Sequence, residues 1–256
     1  EPNTSDRILI NQAQISKDSD KDGNDVTDQD SVPDKWNEGE DDQDIEKVKV
    51  QYFDLSLRKW VTQAIVTENG EEKIIESGHK AEDDPEDVVK VDLKKSKINS
   101  VTIKFRYKIR VKNEGNIAGY AKELKDYIPN GLKFVPEDNP LWKQIDEKTI
   151  TTDQTKDILL QPGDTTEVEV VLTWINDSEN FGVMDNWAEI SKDHNDFNSP
   201  DIDSTPDNNK KGEDDIDDAP VSVGVQTGQI KTFTTIGLAV LVILSSGVVL
   251  IKKFVL

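Results

Sequence analysis

Cysteine is absent from this 256-residue chain, which removes both a disulfide framework and any thiolate metal site. Histidine occurs only as His79 and His194, each among polar residues, too few for a zinc cluster or a serine–histidine relay. Basic residues are scarce beside acidic ones, 31 Lys and Arg against 52 Asp and Glu. The resulting net charge of -21 repels nucleic acid and favours solubility or cation binding. With 34% hydrophobic and 32% charged residues, part of the chain is expected to be solvated spacer rather than one large globule.

Long apolar runs are missing until the end. Residues 233–251 carry no charge and Lys252 and Lys253 follow at once. At ~1.5 Å per residue such a run makes a helix of about 28 Å, close to one bilayer core. A single transmembrane helix is therefore expected over 232–251. The positive-inside bias puts the basic tail 252–256 in the cytoplasm and everything upstream outside. Without an initiator methionine or a signal pattern, the sequence reads as the C-terminal piece of something longer.

What the chain does have is a repeat. NQAQISKD at 11–18 matches NWAEISKD at 186–193; DSVPD at 30–34 matches DSTPD at 203–207, and GEDD at 39–42 matches GEDD at 212–215. The expected organisation is the last strand of a preceding repeat over 1–17, an acidic linker over 18–46, one whole module over 47–193, and a second acidic linker over 194–222. A juxtamembrane segment follows over 223–231.

Inside the module the period is two. VTIKFRYKIRV at 101–111 places Val101, Ile103, Phe105, Tyr107, Ile109 and Val111 on one face, and TEVEVVLTW at 166–174 does the same with Val168, Val170, Leu172 and Trp174. NEGN at 113–116 and QPGD at 161–164 supply turns. Short strands separated by such turns predict an all-β fold, an Ig-like antiparallel β-sandwich.

Three polar residues break the dry face. In FDLSLRKW at 53–60, Phe53, Leu55 and Leu57 set the inner parity and Lys59 shares it. Asp126 lies between the inward Leu124 and Ile128, and Asn186 shares a face with Ala188 and Ile190; Asn11 repeats that position in the preceding repeat. An isolated ammonium is costly to desolvate, yet the three together form a reacting set. A Lys59 amine stripped of its proton can attack the Asn186 side-chain carbonyl while a protonated Asp126 polarises it and shuttles protons, giving an isopeptide bond and ammonia. Glu123 and Glu189, on the opposite parity, are the second-choice carboxylates. The competing reading gives each residue an ordinary part: Lys59 snorkelling, Asp126 capping a turn, Asn186 pairing with backbone.

FDLSLRKW, YKIRVKNEGNIAGYAKELKDYIPNGLKF, LQPGDTTEVEV and NWAEISKD resemble the isopeptide-forming, Ig-like repeat modules of Gram-positive, especially clostridial, surface proteins related to collagen-adhesin and pilin domains. The likeness spans roughly residues 47–218. It implies a self-crosslinked stalk or adhesin segment at the cell surface, with Lys59, Asp126 and Asn186 as the matching positions and no turnover of an external substrate. The alternative is a module without a crosslink that binds a carbohydrate, host or matrix ligand through loops 69–87 or 136–146.

Two further features remain. Asp18, Asp20 and Asp22 before Gly23 resemble the opening of a calcium loop, but position twelve is Gln29 rather than glutamate and the second linker lacks the glycine. A self-repelling spacer is favoured over calcium binding there, and no other cofactor is expected. Thr227 and Gly228 before the apolar run resemble the end of a wall-sorting signal that a sortase-like transpeptidase reads, although the Leu-Pro that should precede them is absent.

Overall fold

The computed structural model describes residues 8–26, 28–83 and 87–226, together with the backbone of 242–244 and 247–249. The all-β expectation holds for the described module. One sheet has five strands in the order β4-β3-β6-β11-β8: β3 is Leu55–Glu68, β4 Glu71–Glu76, β6 Val101–Asn113, β8 Leu132–Phe134 and β11 Thr165–Trp174. The other has six in the order β5-β13-β12-β7-β10-β9: β5 is Val89–Lys94, β7 Tyr120–Tyr127, β9 Lys143–Asp146, β10 Thr149–Thr152, β12 Gly182–His194 and β13 Ile216–Gln226.

The two sheets enclose a single apolar core. Its centre is the row predicted from alternation, with Ile103, Phe105, Tyr107, Ile109 and Val111 of β6 facing Leu124, Ile190 and Val221 from the other sheet. Val101 is only partly buried, at the open end of that row. QPGD makes the predicted turn, Gly163 holding φ +87° while Asp164 Oδ2 accepts the Gln161 N–H at 2.9 Å. All strand pairs in the module are antiparallel except β13 with β5, which run parallel.

Several boundaries differ from expectation. The module does not stop at residue 193. β13 pairs antiparallel with β12 from Gly182↔Val223 to Glu189↔Ile216, so the supposed linker 194–222 is a loop inside the module plus much of a strand, and 223–226 belong to that strand. The first repeat has the same build. β1 (Ile8–Gln14) pairs with β2 (Gln43–Lys49), and Asn11↔Glu46 occupies the same register as Asn186↔Ala219. Residues 18–42 are therefore a loop joining two partnered strands. A run of acids reads as solvated spacer in sequence, whereas here its backbone is tied down: Ile15 N–H bonds to Asp42 O at 2.8 Å, and the equivalent Ile190 N–H to Asp215 O at 2.9 Å.

The ligand loop expected over 69–87 contains a hairpin, with Asn69 and Gly70 both at positive φ leading into β4. That expected over 136–146 holds a short 3-10 turn, Pro136–Asp138, and β9. Among the described residues no helix is long and apolar enough to cross a membrane. The span expected over 232–251 lies outside them apart from the backbone of β14 (Val242–Leu244) and β15 (Gly247–Val249), which pair as strands. Thr227 and Gly228 also lie outside the described residues.

Candidate functional site

The strand that carries Lys59 is fixed before it enters the core. Gly115 of the NEGN turn lies against it so closely that a Cβ there would meet Tyr52 O at 2.8 Å and Asp54 N at 2.9 Å. Asn116 bridges the same segment, accepting from Tyr52 N at 2.9 Å and donating to Val50 O at 2.8 Å. Asn113 is buried, its amide donating to Ile117 O and Leu160 O, both at 2.9 Å. This explains the turn's composition: two asparagines that mimic backbone and a glycine that admits a neighbouring chain.

β6 covers one edge of β3 along its length and β4 the far half of the other; the near half of that second edge is occupied by the β12–β13 loop and the start of β13. The N–H groups of Leu55, Leu57 and Lys59 donate in turn to Asp201 Oδ2, Asp214 O and Asp217 Oδ2, each at 2.7 Å. These contacts set the parity that sends Leu55, Leu57 and Lys59 into the core.

There Lys59 meets the other two residues. Lys59 is 1% exposed, and Asp126 and Asn186 are fully buried. Lys59 Nζ donates to Asp126 Oδ2 and to Asn186 Oδ1, both at 2.6 Å. Asn186 Nδ2 donates to Asp126 Oδ1 at 2.8 Å and to the Tyr127 carbonyl at 3.0 Å. Because a carbonyl can only accept, that last bond fixes the amide's orientation and turns its oxygen toward the amine. The Tyr107 ring lies 5.1 Å from Nζ and closes the pocket. Burial holds the Lys59 ammonium below the usual lysine range, against the opposing charge and hydrogen bond of Asp126.

The second-choice carboxylates are elsewhere. Glu189 accepts from Tyr127 Oη at 2.6 Å and Asn209 N at 2.8 Å, and burial raises its pKa. Glu123 pairs with Ser191 and Lys192. Asn11 is exposed on β1, opposite Glu46. Sequence reasoning missed Asp217, which grips the Lys59 backbone, and the Tyr127 carbonyl; neither a loop-side acid nor a main-chain oxygen leaves a pattern. Tyr107 was legible as an inward residue of β6.

Asp18, Asp20 and Asp22, the weaker calcium reading beside the favoured spacer, each have a place in the described structure. These three are not among the carboxylates that converge in the described residues. Asp20 instead closes its own turn, accepting from the N–H groups of Asp22 and Asn24 at 2.9 Å, and these bonds lower its pKa, the Asn24 side chain foremost. Asp22 pairs with Lys21 at 3.1 Å.

No family profile and no curated protein matches the chain. Among solved structures it is similar to the CARDB domain of a Pyrococcus furiosus protein in complex with di-metal ions, with 12% identity and a TM-score of 0.31 over 70% of this chain and 100% of that one. It is also similar to BslA, a bacterial hydrophobin, with 10% identity and a TM-score of 0.30 over 68% and 97%. A beta-glucosidase from Listeria innocua gives 14% and 0.26, over 69% of this chain and 17% of that one. Likenesses this distant carry no argument about function.

Proposed function

We propose that this chain is a structural stalk or adhesin module of an anchored bacterial surface protein, and that it crosslinks itself by an isopeptide bond between Lys59 and Asn186. The carrying observation is the closed ring of short contacts among Lys59, Asp126 and Asn186 in a water-poor interior. Asp126 touches the nucleophile with one oxygen and the leaving group with the other, so it offers a direct path for a proton between them.

The step balances without a cofactor. Asp126 Oδ2 takes a proton from Lys59 Nζ, and the freed lone pair attacks Asn186 Cγ. The C–N bond to Nζ forms, Asp126 delivers its proton to Nδ2, and the bond from Cγ to Nδ2 breaks. The attacking nitrogen's remaining surplus proton passes to Asp126 as neutral ammonia departs, leaving a neutral amide beside a protonated acid. Replacing a buried ion pair by a neutral amide also removes the cost of keeping a charge in the core.

The bond closes a loop spanning 127 residue positions; the chain-entropy treatment of crosslinks gives roughly 5 kcal/mol for a loop of that size. In this reading the apolar run 233–251 anchors the module to a membrane, and the module's chemistry is spent on itself. Intact-mass measurement of the full chain beside Lys59→Ala provides the test. The wild type is expected to be lighter than its sequence by one ammonia and the variant to match its sequence; a wild-type mass equal to the sequence mass refutes the crosslink.

A further inference from the structure

A second group of side chains, separate from the crosslinking ring, gathers where β3 begins and the β12–β13 loop returns. Carboxylate oxygens of Asp54, Asp201, Asp203 and Asp214 all lie within 4.8 Å of one another. Asp201 closes the turn, accepting the N–H groups of Asp203 and Ser204 with Oδ1, while its Oδ2 holds Leu55 N. Asp214 Oδ1 is buried and accepts no hydrogen bond. The charges acting most strongly on Asp214 are those of Asp203, Asp54 and Asp201, all negative.

An independent observation comes from the residues behind this group. Asp215 is 2% exposed and neither of its carboxylate oxygens has a partner; the charges acting on it are those of Glu189, Glu213 and then Asp201, the innermost member of the group. Ser204, inside the turn that Asp201 closes, is 7% exposed and its hydroxyl has no partner either. Buried polar atoms are nearly always satisfied, and here a serine and an aspartate beside one acidic group are not.

The same pair recurs in the first loop. Asp42, the counterpart of Asp215 in the repeat, is likewise buried with an unpartnered carboxylate oxygen, and Ser31, the counterpart of Ser204, is buried beside Asp28, the counterpart of Asp201. The two loops share backbone detail as well: Asp34 and Asp207 both hold φ 63°, and their N–H groups bond to Ile15 O and Ile190 O. A defect repeated at equivalent positions of two loops is a design feature of the loop.

We propose that Asp54, Asp201, Asp203 and Asp214 bind a calcium ion. Oxygen-only donors of this charge suit a hard divalent cation, and ligands about 2.4 Å from a calcium ion stand at most about 4.8 Å apart across it. The tighter, strictly octahedral shell of magnesium, at about 2.0–2.1 Å, asks for a smaller cage. The ion would tie the start of β3 to the loop that holds its edge, five positions before Lys59.

Calcium chloride titrated calorimetrically into the chelator-stripped full chain, kept in a non-ionic detergent, tests this. Saturable heat is expected, with one equivalent lost in Asp214→Asn, whose amide is isosteric with a side chain that makes no hydrogen bond at Oδ1. Asp203→Asn, on the exposed rim, is expected to lose the same equivalent, so the test survives if one variant misfolds. In thermal scans calcium should raise the wild-type midpoint and leave Asp214→Asn unmoved. The metal-free midpoint of that variant should equal or exceed the metal-free wild type, because it removes one of four repelling charges. No saturable heat, or variants that titrate like the wild type, overturns the site.

Discussion

Asp126 does two things at the scale of single residues: it neutralises Lys59 and it bridges the amine to the amide nitrogen. Asp126→Asn keeps the shape and removes the proton acceptor, so the full chain is expected to keep its ammonia, as read by intact mass. Lys59→Ala has a different cost. It removes the crosslink, worth roughly 5 kcal/mol for a loop of this size, together with the buried lysine stem beside Asp126, which denaturant unfolding will report as a lower midpoint.

A second carboxylate gives a pH signature. Burial pushes the Asp218 carboxyl up to about 8, helped by the hydrogen bond its protonated form donates to Asp185 and by the charges of Asp185 and Asp217, with Lys211 opposing. The native state therefore holds this proton more tightly than the unfolded chain. Its contribution to stability is complete below about pH 4, the ordinary carboxylate range, and is lost as pH rises toward about 8. Asp218→Asn should flatten that decline, seen as a stability difference between variant and wild type that grows from pH 4 to pH 8.

Among the elements, β3 depends on the turn that grips its approach. A Cβ at Gly119 would lie 2.2 Å from the Phe53 ring, and overpacking of this kind costs typically ~1–3 kcal/mol. Gly119→Ala should lower the unfolding midpoint and slow the loss of ammonia followed after refolding, since displacing Phe53 displaces the strand that aims Lys59. The alternation of β3, β6 and β11 was plain in sequence because a sheet with one dry face leaves a period of two, and the three inward polar residues stood out against it. β13 was not, because its apolar positions Ala219, Val221 and Val223 follow an acidic loop whose hydrogen bonds to β3 are long-range. The converging aspartates were hidden for the same reason: Asp54 and Asp214 are far apart along the chain, and a regular calcium loop keeps its ligands within twelve residues.

For the whole molecule, the proposed bond joins the two sheets but not the two ends. β12 carries Asn186 and is followed by the β12–β13 loop and β13, so the last strand of the sandwich lies outside the covalent circuit. When tension is applied from the C-terminal side, β13 and its loop can peel away, and the unravelling halts at residue 186. At about 3.5 Å per residue, the forty or so residues beyond it release about 140 Å of slack before the load reaches an unyielding link. Single-molecule stretching should show one short, reversible lengthening of that size in the wild type and a much longer one in Lys59→Ala. Such a segment would act as a tether that yields first and then holds, with calcium in the loop setting the force at which it begins to give.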